Sequence, residues 1–327
     1  MYTDMIKTLL DSNKLTSEDV CFKLSSDEGY AKCVTQGLII PIRDLKKQKG
    51  RIYHATDELC CIGYPFFKGK KITTFHHIPK KTVKDGYSPL LYRVWKAAAK
   101  NAIKYSDAII SVSEQTKDEL VEFMGADPNK IFVLEHRADS FFQDLGRPRK
   151  KLIGYVGTLI ERKNVESGVL AFKSFIEMQD AGDYNLVICG EGPLKEDLNK
   201  LADSLDISDR VSFISNISKT ELRDLYNDMA VFINPSFHEG LGLTAMEAQA
   251  CGTPVVYFRD AEIPPEVSKG YVPSDDVEDF AKNIHRLVTD TDFRNKFKIV
   301  PKSGLSDEEY AKKLFEIYSV VSGEEFP

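Results

Sequence analysis

Short apolar runs of four or five residues recur along the chain, and the stretches between them repeat their apolar positions every three to four residues. The runs at 20–24, 38–42, 52–55, 71–75, 108–112 and 131–134 read as buried strands. Helical periodicity appears at 2–10, where Tyr2, Met5, Ile6, Leu9 and Leu10 share a face, and again at about 88–105 and 114–124. A polar stretch with Gly146 and Pro148 then interrupts the pattern at 143–151. A second series follows, with strands at 152–156, 185–189, 211–214, 231–234 and 254–258 and helices at about 164–180, 194–204, 219–228, 243–251 and 276–289. Strands alternating with helices predict an α/β protein with parallel sheets covered on both faces. The expected domains are 1–146 and 151–305. Ser306 and Glu309 form a capping-box pattern that opens a last helix at 306–322, with Tyr310, Leu314, Ile317, Tyr318 and Val321 along one face.

The length of 327 residues suits two domains, and 29% charged residues beside 42% hydrophobic ones suit a soluble globular chain. The opening Met-Tyr-Thr-Asp-Met-Ile-Lys lacks the basic and apolar regions of a signal peptide. No apolar run approaches the length that spans a bilayer. Cysteines at 21, 33, 60, 61, 189 and 251 have neither metal-ligand nor disulfide spacing, so reduced thiols in a cytoplasmic protein are expected. Charge divides unevenly. Residues 1–150 hold 25 Lys and Arg against 19 Asp and Glu, and residues 151–327 hold 19 against 31. The basic half, with lysine clusters at 46–51, 68–71 and 80–84, predicts an anionic partner. In Gly63-Tyr-Pro-Phe66-Phe67-Lys-Gly-Lys-Lys71 aromatics adjoin lysines. That pattern fits peripheral contact with an anionic membrane, on its inner face, or a core role for Phe66 and Phe67. No nucleic-acid partner is expected.

Residues 231–258 carry the strongest chemical signal. A buried strand ends in Asn234-Pro235-Ser236, Gly240 and Gly242 open a loop, and a helix begins at Leu243. Unpaired N–H groups at such a helix start suit a diphosphate. Glu239 at the rim and Glu247 one turn into the helix suit the hydroxyls of sugar and ribose rings, or else serve the helix dipole as first-turn acids. A second strand ends at Gly157-Thr158, and Arg162-Lys163 precede a helix whose dipole disfavours cations, so a bound anion is expected there too.

Ser236-x-x-Glu239-Gly240-Leu241-Gly242-Leu243-x-x-x-Glu247-Ala-x-Ala-Cys-Gly-Thr-Pro-Val resembles the E-x7-E signature of retaining GT-B glycosyltransferases of family 4 (glycosyl transferases group 1). The resemblance implies that Glu239 contacts the transferred sugar, that Glu247 contacts the ribose, and that the amides between hold the diphosphate. Gly157-Thr158-Leu-x-x-Arg162-Lys163-Asn164 is similar to the family's phosphate-binding motif, with Thr158 where many relatives carry Arg. Gly190-Glu191-Gly192-Pro193 is similar to a segment near the nucleotide, and 210–214, ending at Ile214, to the strand beside the base. His76-His77 resembles the family's His-Asp segment. His76 is expected to bond a donor-sugar hydroxyl, with an incidental loop histidine as the alternative, and His77 is open either way. Ser113 matches a family segment but serves equally as a helix cap. Arg137 and Asp139 occupy a segment that faces the cleft in relatives and touches the acceptor side.

The resemblance covers about residues 50–322. It implies a GT-B fold of two Rossmann-like domains, the first lacking its first strand, and a last helix that crosses back to the first domain. It implies a glycosyltransferase of glycan biosynthesis. Such an enzyme moves a sugar from a nucleoside-diphosphate sugar to a glycan or lipid-linked acceptor with retention. It needs neither cofactor nor metal, with Glu239, Lys163, Arg162 and His76 as its catalytic residues. A non-catalytic sugar-nucleotide-binding subunit and a sugar-nucleotide epimerase are the alternatives.

Overall fold

The computed structural model describes residues 20–23, 52–66, 69–79, 89–135, 138–297 and 305–326. The expected helix at 2–10, strand at 38–42, lysine clusters at 46–51 and 80–84, Phe67 and Arg137 lie outside the described residues. The rest forms two compact units.

In the first unit β1 (Val20–Lys23), β2 (Ile52–Ala55), β3 (Lys70–Phe75), β4 (Ala108–Ser111) and β5 (Ile131–Val133) pair in that order as one parallel sheet. Successive side chains alternate between its faces. Ala55, Phe75 and Ile109 pack on one face against α1 (Pro89–Tyr105) and α2 (Glu114–Met124) through Trp95, Ala98, Ala102 and Leu120. A 3-10 helix at Glu58–Phe66, absent from the expectation, follows β2. Its Glu58 accepts a hydrogen bond from Trp95 Nε1 at 2.5 Å. Burial, with Asp57 nearby, pushes the Glu58 pKa up to about 8, so this acid is neutral at neutral pH.

The second unit alternates throughout. Its elements are β6 (Leu152–Val156), α3 (Val165–Ile176), β7 (Asn185–Cys189), α4 (Lys195–Ser204), β8 (Val211–Ile214), α5 (Lys219–Asp228), β9 (Val231–Asn234), α6 (Leu243–Ala250), β10 (Val255–Phe258), α7 (Pro265–Ser268), β11 (Val272–Ser274), α8 (Val277–Thr289) and α9 (Thr291–Lys296). The strands pair in the order β11-β10-β9-β6-β7-β8, all parallel. The chain winds outward from β6 in one direction and resumes at β9 in the other. The order therefore reverses between β6 and β9. The core joins Ile153, Phe172, Ile188, Ile233, Val256 and Phe280.

The expected boundary at 146–151 falls inside this second unit, which takes in the described residues 138–297. Long-range bonds explain the difference. Leu145 N donates to Asn227 Oδ1, and Arg147 donates to Asp224 O. Arg149 reaches Tyr226 O, Asn227 O, Thr253 Oγ1 and Cys251 O, filling acceptors at the ends of α5 and α6. The polar stretch is thus a strap on the second unit.

The last helix, α10 (Asp307–Ser322), belongs to the first unit. Ser306 and Glu309 make both bonds of a capping box. Tyr310, Leu314, Ile317, Tyr318 and Val321 pack with Ile52, Ile72, Ala108 and Ile110 on the sheet face opposite α1. A polar link crosses this apolar layer: His54 Nδ1 meets the Tyr318 hydroxyl at 2.8 Å, and its Nε2 meets Thr74 Oγ1 at 2.8 Å. Burial, with His76 a lesser cause, lowers the His54 pKa to about 3. Among the described residues no helix is long and apolar enough to cross a membrane.

Below about pH 6.5 the unfolded chain protonates His54, and the folded chain refuses that proton until about pH 3. Stability should therefore fall as pH drops across that window, by up to about 1.4 kcal/mol per pH unit, with His54→Gln flattening the slope of pH-dependent melting. Tyr318→Phe, read in the same melts near neutral pH, should cost about 1–3 kcal/mol by leaving a buried ring nitrogen without its partner.

Candidate functional site

A doubly wound sheet binds ligands beyond the carboxyl ends of its strands where the strand order reverses. Here that point lies between β6 and β9, and the two loops that leave it hold most of the residues singled out in the sequence.

After β9, Pro235 halts pairing and the chain loops to Gly242. Gly242 caps α6 at φ 75°, left-handed backbone that favours glycine. Ala245 N and Met246 N donate to Gly242 O at 3.1 and 3.2 Å, while the N–H groups of Leu243 and Thr244 have no intrahelical acceptor, and the helix start carries partial positive charge. Leu241 is buried, and Leu243 begins the helix.

After β6 comes Gly157. The turns after β6 and β7 interlock through Gly157 N to Cys189 O at 3.0 Å and Leu159 N to Glu191 O at 2.9 Å, and Gly190 N ties the second turn to Ile214 O at the end of β8 at 2.9 Å. A Cβ on Gly190 would overlap Gly157 O, and one on Gly192 would overlap Leu159 O. Both glycines are thus required by backbone crossing backbone. Thr158 is exposed, and so is Glu191, which accepts Lys195 Nζ at 2.9 Å.

A 3-10 turn at Glu161–Lys163 ends in Asn164 at φ 48° and clasps the other loop. Asn164 Nδ2 donates to Pro235 O at 3.1 Å, and Phe237 N donates to Arg162 O at 3.0 Å. That clasp brings three charges together. Lys163 Nζ donates to both Glu239 oxygens, at 2.6 and 2.7 Å. Arg162 Nη1 donates to His238 O at 2.6 Å and stands 3.5 Å from Glu239 Oε2. All three side chains are at least 85% buried. Burial alone would raise the Glu239 pKa. The Lys163 and Arg162 charges overcome it and hold the carboxyl at about 2. Glu239 also lies against the α6 start, since a Cβ on Gly242 would sit 3.8 Å from Glu239 Cβ.

Glu247 faces inward from α6 and is almost fully buried. Its Oε2 accepts the Tyr226 hydroxyl at 2.9 Å. Burial pushes its pKa up to about 7, the Tyr226 bond opposing the rise. Asn234 Nδ2 and the Tyr271 hydroxyl are buried with no hydrogen-bond partner among the described residues, polar capacity that a ligand can take up.

Asp139 belongs to the second unit, not the first as expected: it accepts Lys219 Nζ at 2.6 Å, at the start of α5, and Phe141 N at 2.8 Å. His76, His77 and Ser113 lie in the first unit, where His76 and Ser113 follow β3 and β4. His76 Nε2 lies 2.8 Å from Thr56 O, and burial lowers its pKa, so the ring is neutral at neutral pH. His77 is half-buried. Ser113 Oγ accepts Thr116 N at 3.1 Å and caps α2. Tyr226, the partner of Glu247, escaped the sequence reading, because its helical spacing marks an ordinary core position.

A model of the family described as glycosyl transferases group 1 matches residues 137–300, half of the chain, and one described as glycosyltransferase family 4 matches 43–137. A D-inositol 3-phosphate glycosyltransferase of Streptomyces bingchenggensis is 32% identical over 209 residues, 57% of this chain and 46% of the relative. The O-antigen chain mannosyltransferase RfbU of Salmonella typhimurium is 26% identical, over 68% of this chain and 63% of its own. The chain thus spans about half the length of the inositol-phosphate relatives it matches. Among solved structures, sucrose-phosphate synthase of Thermosynechococcus elongatus superposes with TM-score 0.71 at 18% identity, over 92% of this chain and 81% of that one. HepE of Anabaena, solved with UDP and glucose, gives 0.71 at 14%, over 96% and 89%. At such identities these likenesses speak for the fold. Two parallel-sheet units, their GT-B neighbours and the matched family model lead to one assignment: the chain belongs to the glycosyl transferases group 1 family and has the GT-B fold.

Proposed function

We propose that the chain transfers a sugar from a nucleoside-diphosphate sugar to a glycan or lipid-linked acceptor, with retention of anomeric configuration and without a metal ion. The observation that carries this reading is the Lys163–Glu239–Arg162 cluster, held against the start of α6 at the switch point. The names of the inositol-phosphate and mannosyl relatives support it, as does the UDP and glucose bound by HepE.

In this reading the α6 amides, Arg162 and Lys163 receive the diphosphate and stabilise the charge that develops on it as it leaves. Glu239, ionised at any working pH, accepts a sugar hydroxyl. Glu247 accepts a ribose hydroxyl. A carboxylate held near pKa 2 between two cations is a weak nucleophile. That favours attack on the same face. The bond from the anomeric carbon to the diphosphate oxygen breaks, and the acceptor oxygen bonds to that carbon. The acceptor's proton passes to the departing phosphate oxygen.

An anionic membrane surface as partner is supported by α1. Arg93, Lys96, Lys100 and Lys104 stand exposed along its 17 residues beside Leu90, and the helix has no acidic residue.

The direct test incubates the protein with UDP-, GDP- and ADP-sugars, with and without acceptors, in chelator. Nucleoside diphosphate released only with acceptor supports transfer. Binding without release points to a sugar-nucleotide-binding subunit, and an altered donor sugar without acceptor points to an epimerase.

Lys163→Ala should lower kcat by on the order of 10²–10³. It should also lower the melting temperature, because a buried carboxylate loses its main partner. Adding Glu239→Gln should restore melting but not turnover. Since Glu247 accepts hydroxyl protons best as a carboxylate, affinity for the nucleoside diphosphate should rise as pH increases through about 7, measurable by calorimetry. In vesicle sedimentation, anionic lipid should retain the protein, and neutralising Arg93, Lys96, Lys100 and Lys104 together should abolish that retention.

A further inference from the structure

Glu247 is costly where it stands. A buried carboxyl needs hydrogen bonds, and a carbon side chain at this place on α6 would need none. Only one of its oxygens is served: Oε2 takes the Tyr226 hydroxyl, and Oε1 has no hydrogen bond among the described residues. The donor of that one bond is fixed independently of Glu247. The Tyr226 ring meets Phe142 edge-on, with centroids 5.7 Å apart, and Phe232 at 5.9 Å. Its carbonyl takes Arg149 Nη1 at 3.0 Å and Thr253 Oγ1 at 2.6 Å. Burial and the neighbouring Glu247 also raise the phenol's pKa well above the ordinary value, so the hydroxyl keeps its proton and donates it to Oε2 of the ionised acid.

We propose that Tyr226 is a positioning residue for nucleoside recognition: its hydroxyl pins Oε2 of Glu247 so that Oε1 is held toward a ribose hydroxyl. This rests on the reading that Glu247 receives the ribose. A glutamate side chain has three rotatable bonds, and an unpinned carboxylate would turn among several orientations. Anchoring one oxygen to a hydroxyl set by the core leaves the other in a single place. The site then separates ribose from deoxyribose nucleotides, because a nucleotide lacking the hydroxyl leaves the pinned oxygen unpaired. A phenol that merely fills the core would do none of this.

The test compares UDP, GDP and ADP by calorimetry, takes whichever binds tightest, and adds its 2′-deoxy and 3′-deoxy forms. The wild-type protein is expected to favour the ribonucleotide over at least one deoxy form by roughly tenfold or more. Tyr226→Phe keeps the ring and its packing. It should weaken the ribonucleotide several-fold while leaving that deoxy form unchanged, so the ratio falls toward one. Glu247→Gln should collapse the ratio as well. Adding Tyr226→Phe to Glu247→Gln, where no buried carboxylate is left unpaired, should change the ratio no further.

If Tyr226→Phe weakens both nucleotides by the same factor, or the double variant shows independent effects, Tyr226 is a structural residue and the proposal is overturned. If Glu247→Gln collapses the ratio and Tyr226→Phe leaves it intact, the proposal fails and the ribose reading of Glu247 stands. If Glu247→Gln keeps the wild-type ratio, both fail together.

Discussion

The clasp between two loops governs everything else in the second unit's site. The Asn164 side-chain amide holds the Pro235 carbonyl, and Phe237 N holds the Arg162 carbonyl, across 70 or more residues of sequence. Those bonds make neighbours of Lys163 and Glu239. A carboxylate buried this deeply is unfavourable unless its charge is matched, and the two cations match it. The cations in turn escape the repulsion of a nearby helix start because Glu239 stands between. Removing any one of the three changes the electrostatic terms of the other two.

The ion pair also sets the terms on which a ligand enters. Lys163 already has an anion in Glu239, so a diphosphate does not meet a bare cation. Under the proposed transfer it would compete with a carboxylate and release Glu239 toward a sugar. Charge at the site would then be rearranged rather than created, which would keep the reorganisation small as the bond to the anomeric carbon breaks.

Most strands were legible in the sequence because both sheets are covered on two faces, which leaves continuous apolar runs such as 231–233 and Ile131–Val133. The exceptions have local causes. β11 reads Val-Pro-Ser, and proline disguised an edge strand. The 3-10 helix at Glu58–Phe66 contains Gly63 and Pro65, which look like loop residues. In the site, glycines and charges were visible and their pairings were not. Arg162 and Lys163 were legible as cations out of place before a helix. That Lys163 meets Glu239 is a tertiary fact. Asp139 was assigned to the wrong half for the same reason, because nothing local to 138–150 announces Asn227, Tyr226 or Thr253 as partners. Tyr226 was invisible because a buried tyrosine that fills space and one that aims an acid have the same spacing.

The strap at 138–150 bears on how this architecture can be cut and recombined. A fragment of the second unit begun at 151, where composition invites the cut, would lose Arg149. The carbonyls of Tyr226, Asn227 and Cys251 would then lose its guanidinium. A chimera that joined a foreign first half at that same point would put another protein's strap against this protein's helix ends. The seam that respects the hydrogen bonds lies before residue 138, so a module exchanged between such chains has to carry its own strap.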